Sequence, residues 1–333
     1  MSLSTSSSEP ADPRWRSFPA VFAAAAALVF AALLGFLAAL DPYDTGRLAL
    51  ARRSGVARQG PRTADASRGR DPRFNAAIFG NSHIQLIRPE TLKAQTGLDF
   101  VSLTVPATYP KEQFVLIDWF LRHHPRPAAI VVGLDVAWCL DRLNNVKPFP
   151  FWLYDQSTLA YLRGLVRYSA LEHIPGRLAL LFGAATPARA DGYQDYEADY
   201  RAFDQDVLRA QLDRERPTWS VNASNAFPAA DGLRALLARL PPSSAVVLVW
   251  PPVHISALPL AGSAGEATLR ACHASFSRLA SERPGTAVVD WAVDRPETRH
   301  AENFFDQSHY RDNLAEAVQA DIAAALNAIR RSP

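Results

Sequence analysis

Ile78-Phe79-Gly80-Asn81-Ser82-His83 is the stretch on which the reading of this chain turns. The apolar run Ala76 to Phe79 reads as a buried strand, and Gly80 lets the backbone turn sharply after it. Ser82 then stands at the mouth of the segment His83-Ile84-Gln85-Leu86-Ile87. A serine in that place has two uses. Its hydroxyl can cap a short helix. It can also be a nucleophile, with its own amide near a helix N-terminus and facing the negative oxygen of a tetrahedral intermediate.

Downstream of this turn the pattern alternates. Arg88-Pro89-Glu90 reads as a helix start, with proline at the first position, and Gly97 as its C-terminal cap. Phe100 to Leu103 is a second strand, followed by the loop Thr104 to Tyr109. Pro110 to His124 is a helix opened by proline, whose His123 and His124 read as surface histidines on different faces. Ala129 to Leu134 is a continuous apolar run, the pattern of a central parallel strand, and Asp135 follows it. Strand, helix, strand, helix, strand predicts an α/β fold with a parallel sheet and its loops gathered at the carboxyl ends of the strands. Ser82 and Asp135 then share one edge.

The later part of the chain continues this plan. Ala245 to Trp250 is a fourth strand running into His254, and Ala287 to Asp290 a fifth. Helices are expected at Asp231 to Leu240 and Glu266 to Glu282. In the last helix Leu314, Val318, Ile322 and Leu326 recur every fourth residue, and Asn313 with Glu316 has the spacing of a capping box. Residues 140–230 interrupt the alternation with many aromatics and read as an insertion over the active edge, with helical pieces at Ser157 to Tyr168 and Tyr196 to Gln211. Its rings either form ordinary core or shape a substrate groove.

Before the globular part, residues 1–17 read as a disordered tail. Residues 18–40 read as a transmembrane anchor, because Pro19 to Leu40 carries no charge and is long enough to cross a bilayer; the alternative is a cleaved signal peptide, whose apolar region would be shorter and end in an A-x-A site that does not precede Asp41. Residues 41–74, rich in Arg, Gly, Ala and Ser, read as a linker with one helical turn near Leu48 to Ala51, and residues 75–330 as the α/β domain. Arg14 and Arg16 precede the anchor, while Arg47, Arg52, Arg53 and Arg58 follow it; counted literally, this places the domain in the cytoplasm. Cys139 and Cys272 are compatible with a disulfide or with two buried thiols.

The chain has 333 residues, of which 48% are hydrophobic, so a large core is within reach. A net charge of +2, without a Lys/Arg cluster, gives no sign of a nucleic-acid partner. There is no glycine-rich nucleotide loop. His83, His254 and His309 lack the spacing of a metal site.

Asp306-Gln307-Ser308-His309 supplies what Ser82 would need. A serine hydroxyl is a poor nucleophile until a base takes its proton, and histidine titrates in the useful range. Three-residue spacing in a turn lets Asp306 hold the tautomer of His309, so Ser82, His309 and Asp306 can serve as nucleophile, base and orienter. The alternative is that Asp306 and His309 simply stabilise their loop.

Taken together, Gly80-Asn81-Ser82, Gly133-Leu134-Asp135 and Asp306-x-x-His309 resemble the SGNH (GDSL-like) hydrolase superfamily over residues 75 to about 329, the insertion excepted. The resemblance implies a flavodoxin-like three-layer α/β/α sandwich, no cofactor, and catalytic roles for Ser82, Asp306 and His309. It also brings departures. Asn81 stands where the family has aspartate. Ala107 takes the place of the second-block glycine whose amide receives the oxyanion. Asp135 takes that of a third-block asparagine, and an ionised carboxylate cannot donate. His254 either lines the pocket or caps the end of its strand.

An anchor before such a domain is similar to members that attach or remove acyl groups on cell-envelope polymers, of the alginate O-acetylation and teichoic acid D-alanylation type. This implies an esterase or O-acyltransferase with an acylated small molecule or polysaccharide as substrate and a membrane-bound acyl-transfer partner. It also implies an extracytoplasmic domain on a bacterial-type inner membrane. A non-catalytic envelope protein of the same fold is the alternative.

Overall fold

A computed structural model describes residues 13–331 apart from 49, 51–53, 145–146, 201–203, 215–218 and 220. Five parallel strands form one sheet: β1 (Ala76–Gly80), β2 (Phe100–Thr104), β3 (Ala129–Gly133), β4 (Ala245–Trp250) and β5 (Thr286–Asp290). Their spatial order is β2-β1-β3-β4-β5, the doubly wound flavodoxin-like order expected above. β1 lies in register with both neighbours, Ile78 opposite Ser102 on one side and Val131 on the other. Every residue of β1 to β4 is buried, which explains why these strands read as continuous apolar runs rather than alternating ones.

Alternate strand residues feed two cores. One unites Phe79, Val132 and Leu248 with Leu116 and Phe120 of α4 (Pro110–His123), Leu233 of α10 (Pro228–Leu237) and Phe276 of α11 (Ala264–Glu282). The other unites Ile78, Val131 and Val247 with Leu92 of α3 (Pro89–Thr96) and with Leu314, Val318, Ile322 and Leu326 of α12 (Asp312–Arg331). Helices on both faces of a parallel sheet complete the three layers. Gly97 closes α3 in the left-handed conformation, as its position suggested. α12 begins at Asp312, so Asn313 lies within its first turn, and its amide donates to Asn303 instead of capping the helix.

At the N-terminus, α1 (Pro13–Leu40) extends the expected anchor into residues read as tail. Ser17–Leu40 is long and apolar enough to cross a membrane. Val21, Phe22, Leu28 and Val29 are exposed on it, so most of this helix is not covered by the described residues. Only its last turn is covered, at Leu37, Ala38 and Leu40.

The segment 41–74, read as a linker, is instead built into the domain. It contains α2 (Pro61–Arg68), and Trp119 of α4 donates its indole N–H to the Ala66 carbonyl. Asp44 is the hub. Its carboxylate accepts from Arg70 at 2.6 Å, Arg177 at 3.1 Å, Ser67 at 2.7 Å and the Gly55 amide at 2.7 Å. Arg177 also reaches the Leu40 carbonyl at the end of α1. Asp41 is buried and accepts from Thr45, Tyr161 and the Gly46 amide. The segment carries few large apolar side chains because its cohesion comes from paired charges. Of the expected turn at Leu48 to Ala51, Ala49 and Ala51 lie outside the described residues, and Leu48 and Leu50 are not helical.

The insertion divides into two parts. Its first half forms α5 (Phe151–Tyr154), α6 (Thr158–Leu165), α7 (Tyr168–Glu172) and α8 (Ile174–Leu181), which pack with α4, α2 and the end of α1 and so lie off the active edge. The expected helix at Ser157 to Tyr168 therefore ends at Leu165. The other expected helix, Tyr196 to Gln211, is a short turn at Glu197–Tyr200 followed by α9 (Gln205–Arg214). It is this second half, with Tyr196 and Trp219, that reaches the carboxyl ends of the strands.

Candidate active site

β1 delivers Ser82 to the carboxyl edge through a turn that leaves no room for side chains at two glycines. A Cβ on Gly80 would lie 2.5 Å from Ile84 Cγ2, and one on Gly133 would lie 2.8 Å from the same atom. The next residues form a single 3-10 turn, Ser82–Ile84. Asn81 caps that turn by accepting from the His83 amide at 3.1 Å. The capping task that the sequence allowed for Ser82 thus belongs to Asn81.

Ser82 Oγ lies 2.9 Å from His309 Nε2 across 227 positions of sequence. His309 Nδ1 lies 2.7 Å from Asp306 Oδ2. The other Asp306 oxygen accepts from the amides of Ser308 at 2.7 Å and His309 at 2.8 Å. The turn that carries Asp306 is therefore shaped by the same carboxylate that orients the imidazole. Its ends are joined where Phe304 bridges Tyr310 and the Phe305 amide donates to the His309 carbonyl. Burial alone would raise the Asp306 pKa. The His309 hydrogen bond and charge, with the two amides, outweigh burial and hold the carboxyl below the ordinary carboxylate range. With Asp306 ionised, Nδ1–H donates to it and Nε2 is left to accept the Ser82 proton.

Two rings frame His309 edge-on: His83 at 5.2 Å and Tyr196 at 5.4 Å between centroids. Tyr196 is fixed by its hydroxyl, which donates to the Tyr310 carbonyl at 2.7 Å. Its role at the site was not legible beforehand, since it was one of many aromatics in the insertion.

The three remaining sequence candidates fall in different places. Ala107 lines the same cavity as Ser82 and His309, with φ +55°, a backbone state that glycine tolerates better than alanine. Asp135 also lines it, but its oxygens are engaged: one accepts from the Ala137 amide at 3.0 Å, the other from Asn81 Nδ2 and lies 3.3 Å from His83 Nδ1. Asp135 therefore does not stand in for an oxyanion donor; it positions Asn81. His254 is buried and does not line the cavity. Its ring accepts from the Ser256 amide, capping the turn after β4, and its own amide donates to the Gln307 carbonyl. The capping reading of His254 is the one the structure favours.

The cavity beside Ser82 has a volume of about 550 Å³. A second one, of about 360 Å³, also borders Ser82 and His309 and is lined by Gln85, Pro106, Gln194, Asp195 and Tyr196. Cys139 and Cys272 form a disulfide joining the turn after β3 to α11, next to Leu140 and His273 in the wall of the first cavity. Among the described residues no group of three His, Cys, Asp or Glu converges to hold a metal.

No protein-family model matches the chain, and no curated protein does. Among solved structures, a family 2 carbohydrate esterase with a carbohydrate-binding domain from Corynascus thermopiles (Myceliophthora fergusii) aligns over 78% of this chain and 67% of its own. The identity is 12% and the TM-score 0.38. Another solved structure aligns over 77% of this chain and 97% of its own, at 15% identity and a TM-score of 0.37. Likenesses this distant lend no weight to a reading of the site, which rests on the geometry of Ser82, His309 and Asp306.

Proposed function

We propose that this protein is a membrane-anchored serine esterase or O-acyltransferase that works through an acyl-Ser82 intermediate. The observation that carries the proposal is the continuous hydrogen-bonded chain Ser82 Oγ, His309 Nε2, His309 Nδ1, Asp306 Oδ2. As Ser82 Oγ attacks the ester carbonyl, its proton passes to His309 Nε2. Collapse of the tetrahedral intermediate breaks the carbon–oxygen bond of the ester, and the proton on His309 leaves with the alcohol. Water or a second hydroxyl then attacks the acyl-serine, gives its proton to His309, and restores the Ser82 hydroxyl. The Ser82 amide and the Ala107 position are the oxyanion donors in this reading.

The resemblance stated above adds an envelope or exported polysaccharide as acceptor and an extracytoplasmic domain. The Cys139–Cys272 disulfide supports that compartment, since such bonds persist in oxidising surroundings. Of the arginines that argued the other way, Arg47 is engaged with the domain, over the rings of Trp119 and Tyr161. The alternative, a protein of this fold that binds without reacting, is favoured by Asp135 replacing an amide donor and by Ala107 standing where the family has a glycine.

Hydrolysis of a short nitrophenyl ester decides between them. The wild-type full chain should turn over, with Ser82→Ala and His309→Ala at least about a thousandfold slower and circular dichroism unchanged. Equal rates in all three would remove Ser82 from the chemistry.

A further inference from the structure

Ser82 and His309 are shared by two cavities. The cleft of about 360 Å³ is lined by Pro106, Ala107 and Tyr196 together with Gln85, Gln194 and Asp195, and within it Gln85 Nε2 donates to Gln194 Oε1 at 2.8 Å. The larger cavity, about 550 Å³, is walled by Val136, Leu140, Val253, Leu258, Leu269 and Ala292. Its two indoles are not sugar platforms. Trp250 is 2% exposed, and Trp219 is held by its N–H donating to the Ala257 carbonyl at 3.0 Å. His273, in the far wall, has Nδ1 committed to Asp290 at 2.9 Å. The exposed Arg142 is a further charged member of the lining.

We propose that the apolar cavity receives the hydrocarbon of a medium- or long-chain acyl group, while the alcohol part of the ester occupies the cleft of Gln85, Gln194 and Asp195. This rests on the serine mechanism above and names its acyl substrate. At roughly 30 Å³ for a water-sized group, an acetyl leaves nearly all of the cavity empty, whereas a chain of about eight to twelve carbons fills about half. Each methylene taken from water into such a wall is favourable, so the binding is strongest where the chain runs its full length. The Cys139–Cys272 bond ties the turn beside Leu140 to the helix that carries Leu269 and His273. The covalent step is unchanged: the acyl carbon bonds to Ser82 Oγ, and the alcohol leaves with the serine proton.

The test is kcat/KM of the full chain in nanodiscs of phosphatidylcholine for nitrophenyl acetate, butyrate, octanoate and laurate. Full burial raises it by up to about fourfold per methylene, so octanoate should exceed butyrate at least tenfold. Ala292→Phe and Leu258→Trp, which add bulk to the lining, should each lower the octanoate-to-acetate ratio at least tenfold in the same nanodiscs; partition of ester into lipid is common to wild type and variants and cancels between them, and the chain-length series is referred to the free ester in water. A Ser82-dependent rate that is flat or falls beyond butyrate overturns the acyl-cavity proposal and leaves the serine mechanism standing, as does a ratio unmoved in both variants. No Ser82-dependent reaction at any chain length overturns both.

Discussion

The Asp135 carboxylate accepts from the Asn81 side chain, so the residue at the end of β3 orients the residue that caps the Ser82 turn. This relationship reverses the expectation for Asp135→Asn. Were Asp135 only a poor substitute for an oxyanion donor, the amide would raise activity. Here an amide NH₂ would face the Asn81 NH₂, leaving a donor against a donor. Asp135→Asn should therefore cost about 1–3 kcal/mol of stability and lower ester hydrolysis at least tenfold, read by thermal unfolding and initial rates.

Asp306 sets a pH dependence. Its folded pKa lies below the unfolded value of about 4, so its contribution to stability is present above that value and is lost as the pH falls through the folded one. Asp306→Asn should unfold at a lower temperature than the wild type at pH 7, and the gap should narrow below about pH 4. Turnover should fall by about 10³–10⁴-fold, because an amide can no longer hold the His309 tautomer as an anion does.

The disulfide spans 133 residues of sequence. Closing so long a loop restricts the unfolded chain, so Cys139→Ala with Cys272→Ala should cost about 3–5 kcal/mol, seen as an earlier denaturant midpoint. Dithiothreitol should reproduce the shift in the wild type and leave the double variant unmoved.

Asp44 tests whether α1 is fixed to the domain or merely tethered. Arg177 is 1% exposed and loses its partner in Asp44→Ala. An uncompensated buried charge costs about 3–5 kcal/mol, so the variant should melt earlier and become sensitive to protease between residues 41 and 60. A tether would show neither change.

The pattern of legibility follows from where the physics is local. The strands were readable because a parallel strand buried on both faces needs apolar residues at every position, and Ala129 to Gly133 supplies them. Ser82, Asp306 and His309 were readable as a set because a hydroxyl, an imidazole and a carboxylate are the residue types that join into one hydrogen-bonded chain, and the structure joins them. Segment 41–74 was not, since the partner that makes Asp44 a core residue, Arg177, lies 133 positions away. Tyr196 was hidden for the same reason: its ring gains meaning only against His309. Asp135 was placed at the right edge, yet its partner Asn81 lies 54 positions upstream, and no local pattern shows which way a carboxylate turns.

The central claim is that Ser82 is an activated nucleophile, and covalent labelling tests it most directly. The full chain would be treated with a fluorophosphonate and its peptides mapped by mass. The account predicts one phosphonylated residue, Ser82, with no adduct in Ser82→Ala and labelling slowed at least about a hundredfold in His309→Ala. A folded wild-type chain left unlabelled, or an adduct on another residue that persists in Ser82→Ala, would contradict it.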